Sequence, residues 1–470
     1  MKARLILIAL LLCCALTALA DEAQDSFSVP LALEQETVLI SHEGIKLTEG
    51  RRYQSIESIS GEAVSGADEL FMARRAVDDA ANPKALLMDA KGAELTDAIY
   101  DYLLEENGLI RFQLEGLLGV MDRSLNELIP PKYTMLVPNG EGAYLGIDGV
   151  PHDEQPDGVY FVETSGKAVP TGALVFSGLE AFSEGLCAAT SAQSGRVGYL
   201  DAKGGWAIPA QYEYAGQFHN GRAEACIESG YGVIDASGNW LLTPKYTLAS
   251  TGFGDGNIII ASQDERAVYL IDPSTYQVKK TFEGEQIYFG GYFARDYVVL
   301  FMKDKVQLID EDGEVRLETD ADGGFDAYNL LGDSVVMRSG VWGEVNAYLM
   351  NAQTGEELAG PYRELALLFI DEMGDPYFAF SDFEILSETD ENGYVEIFEV
   401  PYTRKGGLLN VDGMEVIPMG QFMGLSYAGH DLLRGETFYD IGLCDVNGEW
   451  IVKHVKEDPS LEILREALGE

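Results

Sequence analysis

Apolar residues along the chain fall into short runs: Val38-Leu39-Ile40, Leu86-Leu87-Met88, Asn257 to Ala261, Ala267 to Ile271, Tyr297 to Met302, Val306 to Ile309, Tyr348 to Met350 and Tyr394 to Val400. Each is bounded by Gly, Asp, Asn or Pro, the punctuation of β-strands joined by tight turns. Helical periodicity is confined to two places. Asp458-Pro459-Ser460 suits the start of a helix with Leu461, Leu464 and Leu468 on one face, ending at Gly469. Gly66 to Ala81 has room for a short helix, although Phe71-Met72-Ala73 suits a strand equally well.

The strands recur in register. Val197-Gly198-Tyr199-Leu200-Asp201 leads through Gly204 to Trp206-Ala207-Ile208-Pro209, and Gly232-Val233-Ile234-Asp235 leads through Gly238 to Trp240-Leu241-Leu242-Thr243-Pro244. A polar residue three before a Gly marks the same register at Ser41/Gly44, Asp89/Gly92, Glu163/Gly166, Asp310/Gly313, Asn410/Gly413 and Asp445/Gly448, with Asp122, Asp272 and Asn351 as looser copies. From Asp89 to Asn351 these marks lie 33 to 41 residues apart, the length of a four-stranded propeller blade. The tail recurs too, as Pro131-Lys132-Tyr133-Thr134 and Pro244-Lys245-Tyr246-Thr247. The expectation is an all-β repeat protein of roughly 40-residue units, built as β-propeller-like modules or as an open β-solenoid stack, with a short C-terminal helix. Eleven registers exceed the four to eight blades of one ordinary propeller. The regions expected are 1–20 as a leader, 21–252 and 253–455 as regular and degenerate β-repeat regions, and 456–470 as the helix.

Trp206, Trp240 and Trp450 each stand two residues after the turn Gly. An aromatic there packs over the turn of an adjacent unit, and the alternative is a ladder of rings facing sugars. The scheme of Gly-Tyr-Ile-Asp, turn Gly, aromatic, Ile-Pro, Tyr and Phe-x-x-Gly resembles the WG-repeat (KWG) family. Gly198 to Ala225 matches almost throughout, and Gly232 to Tyr246 and Gly442 to Trp450 match in their first half. The resemblance implies a noncatalytic repeat protein found outside the cell or at its surface, and it supplies no catalytic residues.

Lys2 and Arg4, the apolar run Leu5 to Leu12 and Ala18-Leu19-Ala20 form a secretory leader cleaved near Ala20, too short to span a bilayer. Cys13 and Cys14 raise a lipoprotein alternative, but Leu12 stands where a small residue is needed. No later stretch is long and apolar enough to span a membrane. Losing Lys2 and Arg4 takes the formal charge from −46 to −48, a field that repels nucleic acid and attracts cations. Cys187, Cys226 and Cys444 are an odd set, with Cys187 and Cys226 offset onto opposite strand faces, so no disulfide framework is expected.

Five scattered histidines show no metal-ligand spacing, and no nucleophile elbow or phosphate loop occurs. One segment carries local chemistry. From Glu388, oxygen-bearing residues at Glu388, Asp390, Asn392, Glu396 and Glu399, with Gly393 at the sixth position, follow the spacing of a calcium loop. Glu388 stands where Asp is usual and Pro401 where a helix should continue. The competing reading is a hairpin turn at Asn392-Gly393 followed by a strand. A second acidic turn, Glu318 to Gly323, lacks the closing carboxylate. Calcium is therefore the one cofactor the sequence admits. Two functions remain: an exported noncatalytic scaffold binding a protein, peptide or glycan at the cell envelope, or an extracellular propeller-type hydrolase of glycan or peptide whose carboxylates come from several blades.

Overall fold

The computed structural model describes residues 28–33, 36–41, 44–48, 51–59, 68–76, 83–148, 158–176, 182–253, 257–290, 297–321, 323–331, 334–339, 346–371, 373–389, 395–400 and 403–456. Among them the regular structure is β-strand, in antiparallel sheets whose strands mostly follow chain order. The leader and the C-terminal helix expected from the sequence lie outside the described residues. Leu70–Arg75 is a strand, paired with Tyr53–Ser58 and Ala85–Asp89, so the strand pattern of Phe71-Met72-Ala73 prevails there.

Two compact units divide the chain: residues 1–131 with 371–373 and 421–470, and residues 132–370 with 374–420. In the first unit, five strands from Ser28–Ala32 to Ala85–Asp89 pair in chain order, and Gly424–Gly429 to Trp450–Val455 form a four-stranded sheet. Val29, Leu31, Val38 and Ile40 from the N-terminal strands share one apolar cluster with Leu432 and Leu443. The Arg434 guanidinium donates to the Ala32 carbonyl at 3.0 Å across the same seam.

From Tyr214 to Tyr362 the second unit is a succession of four-stranded meanders. One comprises Tyr214–Ala215, Arg222–Ile227, Gly230–Asp235 and Trp240–Tyr246; the next comprises Leu248–Phe253, Asn257–Ala261, Ala267–Ile271 and Val278–Glu283. Successive sheets pack face to face, so the middle strands are covered on both sides. Ile258 and Ile260 join Val233 in the cluster with the preceding sheet, whereas Ile259 joins Phe289, Val298 and Leu300 in the cluster with the following one. This double cover explains why the sequence shows continuous apolar runs and not alternation.

The turns follow the sequence register. At Gly44, Gly92, Gly166, Gly204, Gly238, Gly313, Gly413 and Gly448 the backbone φ lies between +75° and +82°, the left-handed region that Gly enters without a Cβ penalty. Each of these N–H groups donates to the carbonyl of the polar residue three before it, at 2.8–3.0 Å. The polar side chain completes the turn: Asp235 Oδ1 accepts from the Ser237 and Asn239 N–H groups at 2.9 Å, and Asp201, Asp310, Asn410 and Asp445 repeat the arrangement. The looser copies reach the same end differently. Leu125 and Tyr276 take φ of +66° and +56°, and at Asp272 and Asn351 the turn is one residue longer, closed by Tyr276 and Gly355.

Beyond several of these turns the last strand bulges against its neighbour, as between Val233 and Ile234 and between Leu443 and Cys444. The bulge brings the Leu242 carbonyl to 2.5 Å and the Trp240 ring to 2.9 Å from where a Cβ on Gly232 would lie. That is the physical reason for Gly ahead of the apolar pair. Gly232→Ala should destabilise the fold by about 1–3 kcal/mol, the range for an overpacked site. Denaturant unfolding of the purified variant checks this, and an unchanged midpoint would refute the steric account.

A partly buried glutamate and an inserted hairpin as candidate functional sites

The repeated side chains are engaged inside the structure. The Trp240 ring meets Tyr212 edge-on at 5.7 Å, the Trp450 ring meets Phe422 at 5.2 Å, and Trp206 Nε1 donates to the Thr171 carbonyl at 3.2 Å. In all three cases the ring is partly buried against the tail that follows the preceding unit's turn. Tyr199 and Tyr212 donate their hydroxyls to the carbonyls of Gly216 and Gly238 at 2.8 and 2.9 Å. Chemistry that varies between units must therefore come from positions where one unit departs from the others.

The ladder registers make such departures visible. The residue facing the one two before each turn mark is Pro30, Met72, Leu145, Ala188, Ile259, Val299, Val336 or Ala379 in eight units. In three it is charged: Arg111, Glu224 and Arg434. Arg111 pairs with Glu106, and Arg434 with Glu436. Among the described residues no Lys, Arg or His acts on Glu224. It lies on strand Arg222–Ile227, opposite Val233, facing the buried Thr251 of the next sheet. Gly216 donates to the Glu224 carbonyl at 2.9 Å, and any Cβ on Gly216 would collide with the Glu224 carboxylate.

Burial raises the Glu224 carboxyl above its ordinary range; hydrogen bonds from its own backbone N–H and from Thr251 act the other way. Around it stand Tyr199, Tyr214 and Tyr231, all raised by burial first. Tyr214 and Tyr231 both face Cys226 across the ladder, their rings tilted at 5.7 Å, with Tyr214 47% exposed. The arrangement is an open aromatic pair beside a proton-retaining carboxyl. It can stack on a flat apolar ligand face and donate or accept one hydrogen bond.

Among the described residues, Cys187, Cys226 and Cys444 are unpaired. Cys187 and Cys444 are buried, and burial first pushes both thiols up to about 12, which makes them poor nucleophiles. Cys187 packs with Val137 and Leu145 towards the preceding sheet, whereas Cys226 lies between Tyr214 and Tyr231, the opposite-face placement expected from their offsets.

The segment with calcium-loop spacing forms a two-stranded hairpin, Ile385–Thr389 against Val395–Glu399, inserted between strands Pro376–Asp382 and Lys405–Leu409. Its register sets Glu388 opposite Glu396. Glu399 accepts from Arg404 Nη2 at 2.6 Å and from Nε at 3.0 Å. Asp390 and Asn392 lie outside the described residues. Among the described residues no group of three or more His, Cys, Asp or Glu is arranged to hold a metal ion. No helix there is long and apolar enough to cross a membrane.

Comparison with known proteins adds one family. The WG containing repeat matches residues 198–229 and 231–266, so the chain carries WG repeats there, around the Glu224 sheet. No curated protein matches the chain significantly. Among solved structures, a eukaryotic initiation factor is similar at TM-score 0.41 and 8% identity, covering 92% of this chain and 97% of its own. The dihydro-heme d1 dehydrogenase NirN, solved in complex with DHE, gives 0.33 at 12% identity over 65% of this chain and 77% of its own. Apo AztD from Citrobacter koseri gives 0.27 at 13% over 71% of this chain and 93% of its own.

The raised Glu224 carboxyl has a measurable consequence. Its proton is favoured by the folded state, so its stabilising contribution is complete below the ordinary glutamate range and is lost as pH rises through the folded value. Glu224→Gln should raise the Tm at pH 7 to 8 and leave it nearly unchanged at pH 4. Calorimetry of both proteins across that range checks this, and a Tm lowered equally at every pH would contradict it.

Proposed function

We propose that this chain, with WG repeats over residues 198–266, is an exported, noncatalytic repeat scaffold that binds a protein, peptide or glycan at the cell envelope. Each four-stranded meander is read as one propeller-type blade, and residues 456–470 as a short C-terminal helix. The observation carrying this reading is that the recurring Asp, Gly, Trp and Tyr side chains are used in turns and in packing. A pattern that specifies only architecture belongs to a platform, and its binding chemistry sits where units differ. The Tyr214–Tyr231 pair beside Glu224 is such a place. The strongly acidic composition supports a partner that carries positive or neutral surface.

A hydrolase is the second reading. A carboxyl raised by burial is what a general acid requires, and Glu224 meets that condition. A glycosidase would need a second carboxylate about 5–10 Å away.

Two outcomes are expected. Expressed with its leader, the protein should appear outside the cytoplasm with Asp21 at or near its N-terminus, as read by N-terminal sequencing. The mature chain should retain cell-wall glycans or peptides on an array without converting them. Turnover lost in Glu224→Gln would sink the scaffold and establish the hydrolase.

A further inference from the structure

We propose that the inserted hairpin, Ile385–Thr389 with Val395–Glu399, docks a basic extended peptide segment of a partner protein; this deepens the scaffold reading and rests on it. Leu386 and Phe398 face each other across the ladder and are 59% and 47% exposed, forming an apolar pair in solvent. The hairpin is a sheet of two strands, so among the described residues both outer edges lack a strand partner. Unpaired edge strands are templates for strand addition.

Charge selects the occupant. From Ile385 to Val400 the sequence holds five carboxylates, Glu388, Asp390, Glu391, Glu396 and Glu399, and no Lys or Arg. Arg404 holds Glu399, and the other four carboxylates give the segment a net negative charge that a cationic strand alongside meets. A neutral or acidic segment gains nothing from this field, whereas alternating Lys or Arg with one apolar residue matches both the charge and the Leu386–Phe398 pair.

A two-stranded hairpin is marginal in water, and this one is fastened at its base. Arg404 bridges Glu399 and Glu364, donates to Ser381 Oγ at 3.0 Å, and lies over the Phe383 ring at 4.3 Å. Glu399 and then Glu364 raise the guanidinium further above its ordinary range. Val400 donates to the Glu384 carbonyl at 2.8 Å, and Glu384 N–H to Thr403 Oγ1 at 3.0 Å. The root is thus held while the apolar pair stays open.

The test uses the mature full-length chain and a fluorescein-labelled octapeptide alternating Lys and Thr around one central Leu. Its acidic counterpart carries Glu for Lys, and calcium chloride is titrated alone. Anisotropy should show binding of the Lys peptide only, weakened as salt is raised. Leu386→Ser and Phe398→Ser, both at exposed positions, should each weaken it roughly tenfold with Tm unchanged. Replacing residues 385–399 by Gly-Ser-Gly should abolish it. Equal binding by that variant, preference for the Glu peptide, no binding of either, or a heat of calcium binding in place of peptide binding would overturn the proposal. Array ligands still retained by the Gly-Ser-Gly variant would leave the scaffold reading standing on its own.

Discussion

Everything in this fold depends on a turn closed twice, once by a Gly N–H reaching back three residues and once by an acidic or amide side chain accepting backbone N–H groups ahead of it. Asp235 and Gly238 show both parts. The turn satisfies the donors that a reversal would otherwise leave unpaired, and it sets the last two strands of each meander at a fixed offset. In the units of Asp201, Asp235 and Asp445 that offset includes a bulge that leaves room only for Gly on the facing strand, and the Trp after the turn is delivered onto the preceding tail. Local chain chemistry therefore propagates into sheet packing. At Asp272 the Ser274 hydroxyl first and the Thr275 N–H next hold the carboxyl down to about 2, so that turn keeps its acceptor charged across ordinary pH.

Much of this was legible in the sequence because the determinants are short-range. The eight Asp/Gly-type marks need only neighbouring residues, and all eight adopt the same left-handed Gly. The double-sided burial of Asn257–Ala261 was legible as an unbroken apolar run. The gap of 59 residues between Asn351 and Asn410 had no explanation from periodicity; the hairpin inserted at Ile385–Glu399 supplies it. What escaped notice was long-range. Glu224 acquires its meaning only when Gly221-Arg222-Ala223-Glu224 is laid over Gly185-Leu186-Cys187-Ala188, a signal the sequence held. The approach of His430 to Glu69 at 3.4 Å joins residues 361 apart, which no local pattern encodes.

Glu224 and the hairpin depart from the regular pattern in different ways. At Glu224 one apolar position inside a packed face is replaced by a carboxyl, and Gly216 gives way to admit it. At the hairpin the packed sheet is left intact and the novelty is appended between two of its strands. A substitution tunes what lies between sheets, whereas an insertion adds surface without disturbing them. Repeat architectures accommodate both because each sheet answers mainly to its neighbours.

The seam in which Val29 and Leu31 meet Leu432 and Leu443 has a consequence for biogenesis. Strands near residue 30 rest on strands near residue 440, so the apolar side of the former must wait through the synthesis of some four hundred residues. Over that interval the meanders of residues 132–420 can settle on nearest-neighbour contacts alone. Contacts so distant along the chain close slowly, which makes the first unit the one that finishes last and the one that most needs protection on the way.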